Sequence, residues 1–213
     1  MERSQKRELD RPARRRRSDG ERSHNAILRE AARLATVEGI EGLSIARLAD
    51  AVGMSKSGLF AHFGSKEELQ LATIEAAGVQ FAEQVTGPAL AEDTGLARVR
   101  GLGENFLQYV EGVYPGGCFF ASVSAEMDTR PGLVRDKAVQ LQVDWLELLE
   151  TAIRDAQAEG SLDASEDPKE LAFELTAYLY LANSQFVSSQ DSAPIDRARR
   201  AVERRLAAAG AAQ

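Results

Sequence analysis

The sequence predicts an all-α fold of about nine helices, a small three-helix unit with a helix-turn-helix followed by a larger helical body. Three observations carry that reading. Apolar residues recur at steps of three and four from Ser23 to the C-terminus. No run alternates with the two-residue period of a strand. Gly, Pro and Ser stand where helices should begin and end.

Residues 1–20 hold eight Lys and Arg in their first seventeen positions and almost nothing apolar, which reads as a disordered basic arm. Ile27, Ala31, Leu34 and Ala35 then mark a first helix that Gly39 closes. Ser44 opens a short second helix through Ile45, Leu48 and Ala49. Val52-Gly53-Met54 is a turn, and Ser55 caps a third helix reaching Phe63. Ser65-Lys66-Glu67-Glu68 forms a capping box in which Ser65 accepts from the Glu68 amide and Glu68 reaches back. That fourth helix runs through Leu69, Leu71 and Ile74 and should stop before Pro88. A helix from Gly95 to Glu111, the turn Tyr114-Pro115-Gly116-Gly117 and a short helix ending near Asp128 follow. After Pro131-Gly132 a long helix steps through Val134, Ala138, Leu141, Trp145, Leu148 and Ala152, and Gly160 closes it. The last two span 168–188 and 194–209, each with Pro near its N-terminus. The expected division is 1–20 arm, 21–66 helix-turn-helix unit and 67–213 body.

With 44% hydrophobic and 28% charged residues the chain has the composition of an ordinary globular protein. Its one cysteine, Cys118, excludes an internal disulfide framework and suits a reducing cytoplasm. Two histidines, His24 and His62, make a His/Cys metal site improbable, and no cofactor is expected. Arg14 to Arg17 precede polar residues rather than the apolar core of a signal peptide. The uncharged stretch from Leu175 to Gln190 is too short and polar for a membrane span. No nucleophile elbow, phosphate-binding loop or His-Glu-x-x-His pattern suggests an enzyme.

Net charge is −7, but residues 1–66 carry 14 Lys and Arg against 9 Asp and Glu, while residues 67–213 carry 12 against 24. A basic end on an acidic body places any polyanion contact in the first third of the chain. A basic tail on an unrelated enzyme has the same charge pattern. The segment from Ser44 to Phe63 bears on that choice. Leu48, Ala49, Val52, Leu59 and Phe63 can fix two short helices at a large mutual angle. The outward face of the second helix then carries Ser55, Lys56, Ser57, Gly58, Ala61 and His62, small or hydrogen-bonding groups that permit close approach to base edges. A structural αα-hairpin would more often fill that face with Glu and Lys pairs.

These residues resemble the tetracycline-repressor (TetR) family of bacterial regulators. The matching string is Glu38-Gly39, Leu43-Ser44, Leu48-Ala49 and the run from Gly53 to Phe63, closed by Ser65-Lys66-Glu67-Glu68-Leu69. The resemblance implies a homodimer on a palindromic double-stranded operator, with the third helix in the major groove. Carried over by position, Ser44 and Arg47 touch backbone or bases from the second helix. Ser55, Lys56, Ser57 and Gly58 lie nearest the bases, Phe60 and His62 lie against the strand, and Lys66 meets a phosphate. The family commonly has Tyr at the position of Phe60, which cannot donate that phosphate hydrogen bond. The basic arm could track a minor groove or add phosphate contacts.

The resemblance also implies an effector, released repression and a four-helix dimer interface. From the residues, the helix Leu171 to Phe186 is apolar all round, as a helix buried on all sides would be. Leu171, Leu175, Tyr178, Leu179, Ala182 and Phe186, with Ala198 and Val202 of the last helix, are the expected dimer contacts; a monomeric bundle with a central helix is the alternative. Tyr109, Phe119, Phe120, Met127, Trp145 and Tyr178 are the expected pocket residues, with Cys118 beside them, although a plain core needs the same side chains. Glu126 and Asp128 suit either a cationic inducer or solvent.

Overall fold

Serine caps set the spacing of the first half of the molecule. Ser44, Ser55 and Ser65 each hold extended backbone and accept, through Oγ, from the amide three residues on, at 3.2, 3.1 and 3.1 Å. The computed structural model describes residues 11–127, 129 and 131–210. It contains α1 (Arg11–Glu38), α2 (Ile45–Val52), α3 (Lys56–Phe63) and α4 (Lys66–Phe81). α4 continues through a π-helical turn (Ala82–Thr86) into a last α turn (Gly87–Leu90). The body adds α5 (Gly95–Gly112), α6 (Phe119–Met127), α7 (Leu133–Ala158), α8 (Pro168–Ser189) and α9 (Ala193–Ala208). The all-α reading holds; the described residues form no strand, only an isolated bridge between Leu162 and Gly210.

Three local expectations change. Residues 11–20, read as part of a disordered arm, are helical and continuous with α1; residues 1–10 of that arm lie outside the described residues. Arginine is a good helix former, and once Ile27, Leu28, Ala31 and Leu34 anchor the helix, each added residue contributes one further bond. Pro12 falls in the first turn, where a missing N–H costs nothing. α4 does not stop before Pro88. The π turn widens the backbone so that Gly87 N–H donates to the Ala82 carbonyl, five residues back, which relieves the clash a proline imposes on a regular helix. Asn105 Nδ2 donates to the Val85 carbonyl at 3.1 Å, so a group freed by the irregularity is satisfied. In the capping box, Ser65 N–H donates to the Phe63 carbonyl at 2.7 Å, rather than to Glu68.

Buried apolar residues fall into two clusters. The head cluster joins Ile27, Leu34, Leu48, Leu59, Phe63 and Leu69 from α1 to α4. The body cluster takes the opposite side of the same helices, Ala32 and Ala35 from α1 and Ile74 and Ala77 from α4, and packs them on α5 to α9. The seam between the two clusters runs along α1 and α4. Loop residues close the seam. A side chain at Gly116 would collide with the Thr36 carbonyl, 1.9 Å from where its Cβ would stand. Tyr114 donates to Gln80 Oε1 of α4 at 2.6 Å, and burial pushes its hydroxyl pKa up to about 12.

Candidate nucleic-acid interface and ligand cavity

The two short helices meet at Gly53, whose left-handed backbone (φ 68°) ends α2 and whose N–H donates to the Ala49 carbonyl. A side chain in that conformation costs about 1–2 kcal/mol, so glycine suits the turn. Leu48, Ala49, Leu59 and Phe63 are buried between α1 and α3, which turns the other face of α3 outward. On it Lys56, Ser57, Phe60, Ala61 and His62 are exposed, Phe60 by 57%. Lys56 makes no ion pair among the described residues, and Ser57 Oγ lies 3.3 Å from Ser55 Oγ. Gly58 is half-buried one turn in. His62 lies 6.0 Å from His24, centroid to centroid, and His24 stacks on Phe63 at 5.3 Å. The face is thus small, polar and cationic at its N-terminal end, with one large apolar ring protruding.

Two residues expected on DNA are engaged elsewhere. Arg47 Nε donates to Glu38 Oε2 at 2.9 Å, and its guanidinium also pairs with Oε1. That hydrogen bond holds the Glu38 carboxyl below the usual range. Lys66 Nζ donates to the Glu41 carbonyl at 2.7 Å and pairs with its carboxylate at 3.3 Å. Both pairs are solvent-exposed and therefore weak, so each can be exchanged for a phosphate. Ser44 is occupied as a cap, as is Ser55.

Residues 39–41, joining α1 to α2, are gripped from the body. The Glu126 carboxylate of α6 accepts from Ile40 N–H at 2.7 Å and Glu41 N–H at 2.9 Å, and buried Gln70 of α4 donates to the Ile40 carbonyl at 2.7 Å. Glu126 therefore faces neither an inducer nor solvent alone. Asp128, considered with it, lies outside the described residues. Sequence offered no signal for this contact, which joins residues 86 apart.

The body holds a cavity of about 320 Å³ bounded by α4, its π turn, α5, α6, α7 and α8. Of the expected pocket residues, Phe120 and Trp145 line it, as does Cys118; Tyr109, Phe119 and Met127 are buried in the surrounding core, and Tyr178 is half-buried away from it. Phe81, Phe106, Gln142, Asp144 and Tyr180 line it and were not anticipated. Phe81 is central, its ring 5.4 Å from Phe120 and 5.7 Å from Trp145. Trp145 Nε1 donates to Thr176 Oγ1 at 3.1 Å. Burial pushes the Cys118 thiol up to about 11, keeping it protonated, and raises the Tyr180 hydroxyl as well. α6 begins at this cavity, with Phe120, and reaches the head at Glu126.

Leu171, Leu175, Leu179, Ala182, Ala198 and Val202 are buried inside the single chain, and Tyr178 and Phe186 are half-buried against the same core. Arg205 helps hold α9 there through Glu166, at 2.7 Å, and Glu174. The outer stripe of α8 instead exposes Phe173 by 65% and Leu181 by 59%, with Ala177 and Ser184 on the same line.

A head of short capped helices beneath a helical body defines a class of bacterial regulator, and the comparisons agree. Residues 27–73 match the tetR family of bacterial regulatory proteins, and residues 95–202 match the tetracyclin repressor-like C-terminal domain. The chain belongs to the TetR family. It is similar to the transcriptional repressor AcnR of Corynebacterium efficiens, 39% identical over 70 residues, a match covering 33% of this chain and only 37% of that relative's length. With the transcriptional regulator AcuR of Cereibacter sphaeroides it is 27% identical over 158 residues, 72% of this chain and 71% of AcuR. Among solved structures, a TetR regulator from Chloroflexus aurantiacus superposes with a TM-score of 0.81 at 23% identity, covering 89% of this chain and 96% of that one. AibR, solved with isovaleryl coenzyme A and operator DNA, gives 0.69 at 26% identity, covering 84% and 95%.

Proposed function

We propose that this protein is a transcriptional repressor that grips a palindromic operator as a homodimer and lets go when a small molecule enters the body cavity. The observation that carries the reading is the outward face of α3, on which Lys56, Ser57, Phe60 and His62 stand free of the core. Ser57 and Lys56 suit base edges and phosphates, and Phe60 suits a thymine methyl or a deoxyribose. Arg47 and Lys66 join the phosphate contacts by exchanging their carboxylate partners. The outer stripe of α8 around Phe173 and Leu181 is the face we assign to the partner subunit, since an exposed apolar line of that kind is costly in water. α4 and α6 each touch both the cavity and the head, so occupancy can alter the spacing of paired α3 helices.

The test is salt-dependent binding to a duplex from upstream of the protein's own gene, against a random duplex with competitor present. The expected result is a preference of about 10³-fold or more. Equal binding of both duplexes would leave a non-specific DNA binder instead. Leu181→Arg should yield monomers in light scattering; a persistent dimer would move the interface elsewhere.

A further inference from the structure

We infer that the body cavity takes a compact aromatic organic cation, a protonated amine or quaternary ammonium, its rings among Phe81, Phe106 and Trp145 and its charge toward Asp144. This rests on the ligand-released repressor reading and names the chemistry of its effector. Phe81, Phe106, Phe120, Trp145 and Tyr180 give the cavity an aromatic wall, whose ring faces carry partial negative charge. Among the described residues lining it, Asp144 is the one charged side chain; no Lys, Arg or His is present. Asp144 accepts from Gln140 Nε2 at 2.8 Å and is otherwise open to solvent. An anion entering would shed its hydration and find no cation. The indole donor beside it is also engaged, Trp145 Nε1 with Thr176. A second, adjoining cavity shares Gln142, Trp145 and Tyr180 and adds Phe173, again with no basic residue. Residues 67–213 carry twice as many acidic as basic side chains, so the surrounding field draws cations in. A volume of about 320 Å³ holds a two-ring compound.

Trp145 is the chain's one tryptophan, so its fluorescence reports occupancy directly. Full-length protein is titrated with three probes that share a ring system: (para-biphenylmethyl)trimethylammonium, para-biphenylmethanol and para-biphenylacetate. The cation should bind about tenfold more tightly than the alcohol, and the carboxylate more weakly than either. Asp144→Asn should close the gap between cation and alcohol. A carboxylate or alcohol that binds as tightly as the cation overturns the inference, as does a gap that survives Asp144→Asn or a Trp145 signal that no probe changes. The same titrations on protein bound to labelled DNA separate this from the repressor reading. A cation that binds with the expected preference yet releases no DNA sinks effector-driven release and leaves the ligand class standing. Release by the neutral alcohol, at equal affinity, does the reverse.

Discussion

Among the described residues the head buries ten apolar residues in its cluster and the body thirty-seven, yet both share α1 and α4. A core of the head's size is marginal alone, because small units bury too little of their surface. It is completed by the body: Ala32 and Ala35 extend α1 into the larger core, and Glu126 supplies the acceptor for two backbone amides at the α1–α2 junction. The body, by contrast, is large enough to leave a cavity beside its aromatic core. The head is thus completed by its neighbour, and whatever disturbs α4 or α6 reaches it without a separate relay.

The largest effect should come from the head core itself. Leu59→Ala removes a fully buried side chain and should cost about 2–5 kcal/mol, abolishing DNA binding. In calorimetry the head should then melt before the body; one transition, shifted whole, would show that the two cores unfold as a unit and break the contrast. Glu126→Ala comes next. It strips the acceptor from the Ile40 and Glu41 amides, at about 1–3 kcal/mol for the groups left unmet, and hydrogen exchange should quicken at those two sites while amides of α7 stay protected. Unchanged exchange would mean Gln70 alone holds the turn.

Burial of the Cys118 thiol predicts an alkaline effect. The Cys118 thiol titrates at about 11 in the fold against 9.0 when exposed, so its contribution is complete below pH 9 and is lost as pH rises toward 11. Urea midpoints across that range should fall more steeply for the parent than for Cys118→Ala; equal slopes would mean water reaches the thiol. The smallest stability changes belong to the surface pairs of the head. Arg47→Ala and Lys66→Ala should each leave the urea midpoint almost unmoved. Each should flatten the salt dependence of DNA binding by about one unit, provided the side chain leaves its carboxylate for a phosphate. A slope that does not move keeps that residue as an internal strut.

The head was legible because its signals are local. Ser44, Ser55 and Ser65 cap within three residues, and Gly53 stands at the turn whose backbone only glycine adopts easily. The body was legible in outline only. A helix apolar on every side has no phase, so Leu171 and Leu179 read as partner contacts although Phe173 and Leu181 are the ones exposed. For the same reason the pattern points to Tyr178 for the pocket, whereas Tyr180, on nearly the opposite face, lines it. Aromatic core and aromatic cavity wall use one vocabulary, which is why Phe119 and Phe120 could not be told apart. Phe81 was hidden by the π turn that follows it, an irregularity that Pro88 hints at but does not define.

The carboxylate of Glu126 has a consequence for how such proteins can be recombined. A head cannot be exchanged as a free-standing cassette, because two of its backbone amides are served by a residue 85 or more positions downstream. A chimera that joins this head to another body inherits an unserved junction unless a carboxylate is grafted at the matching position of the new α6. At these two amides the head and the body are therefore linked through a single carboxylate.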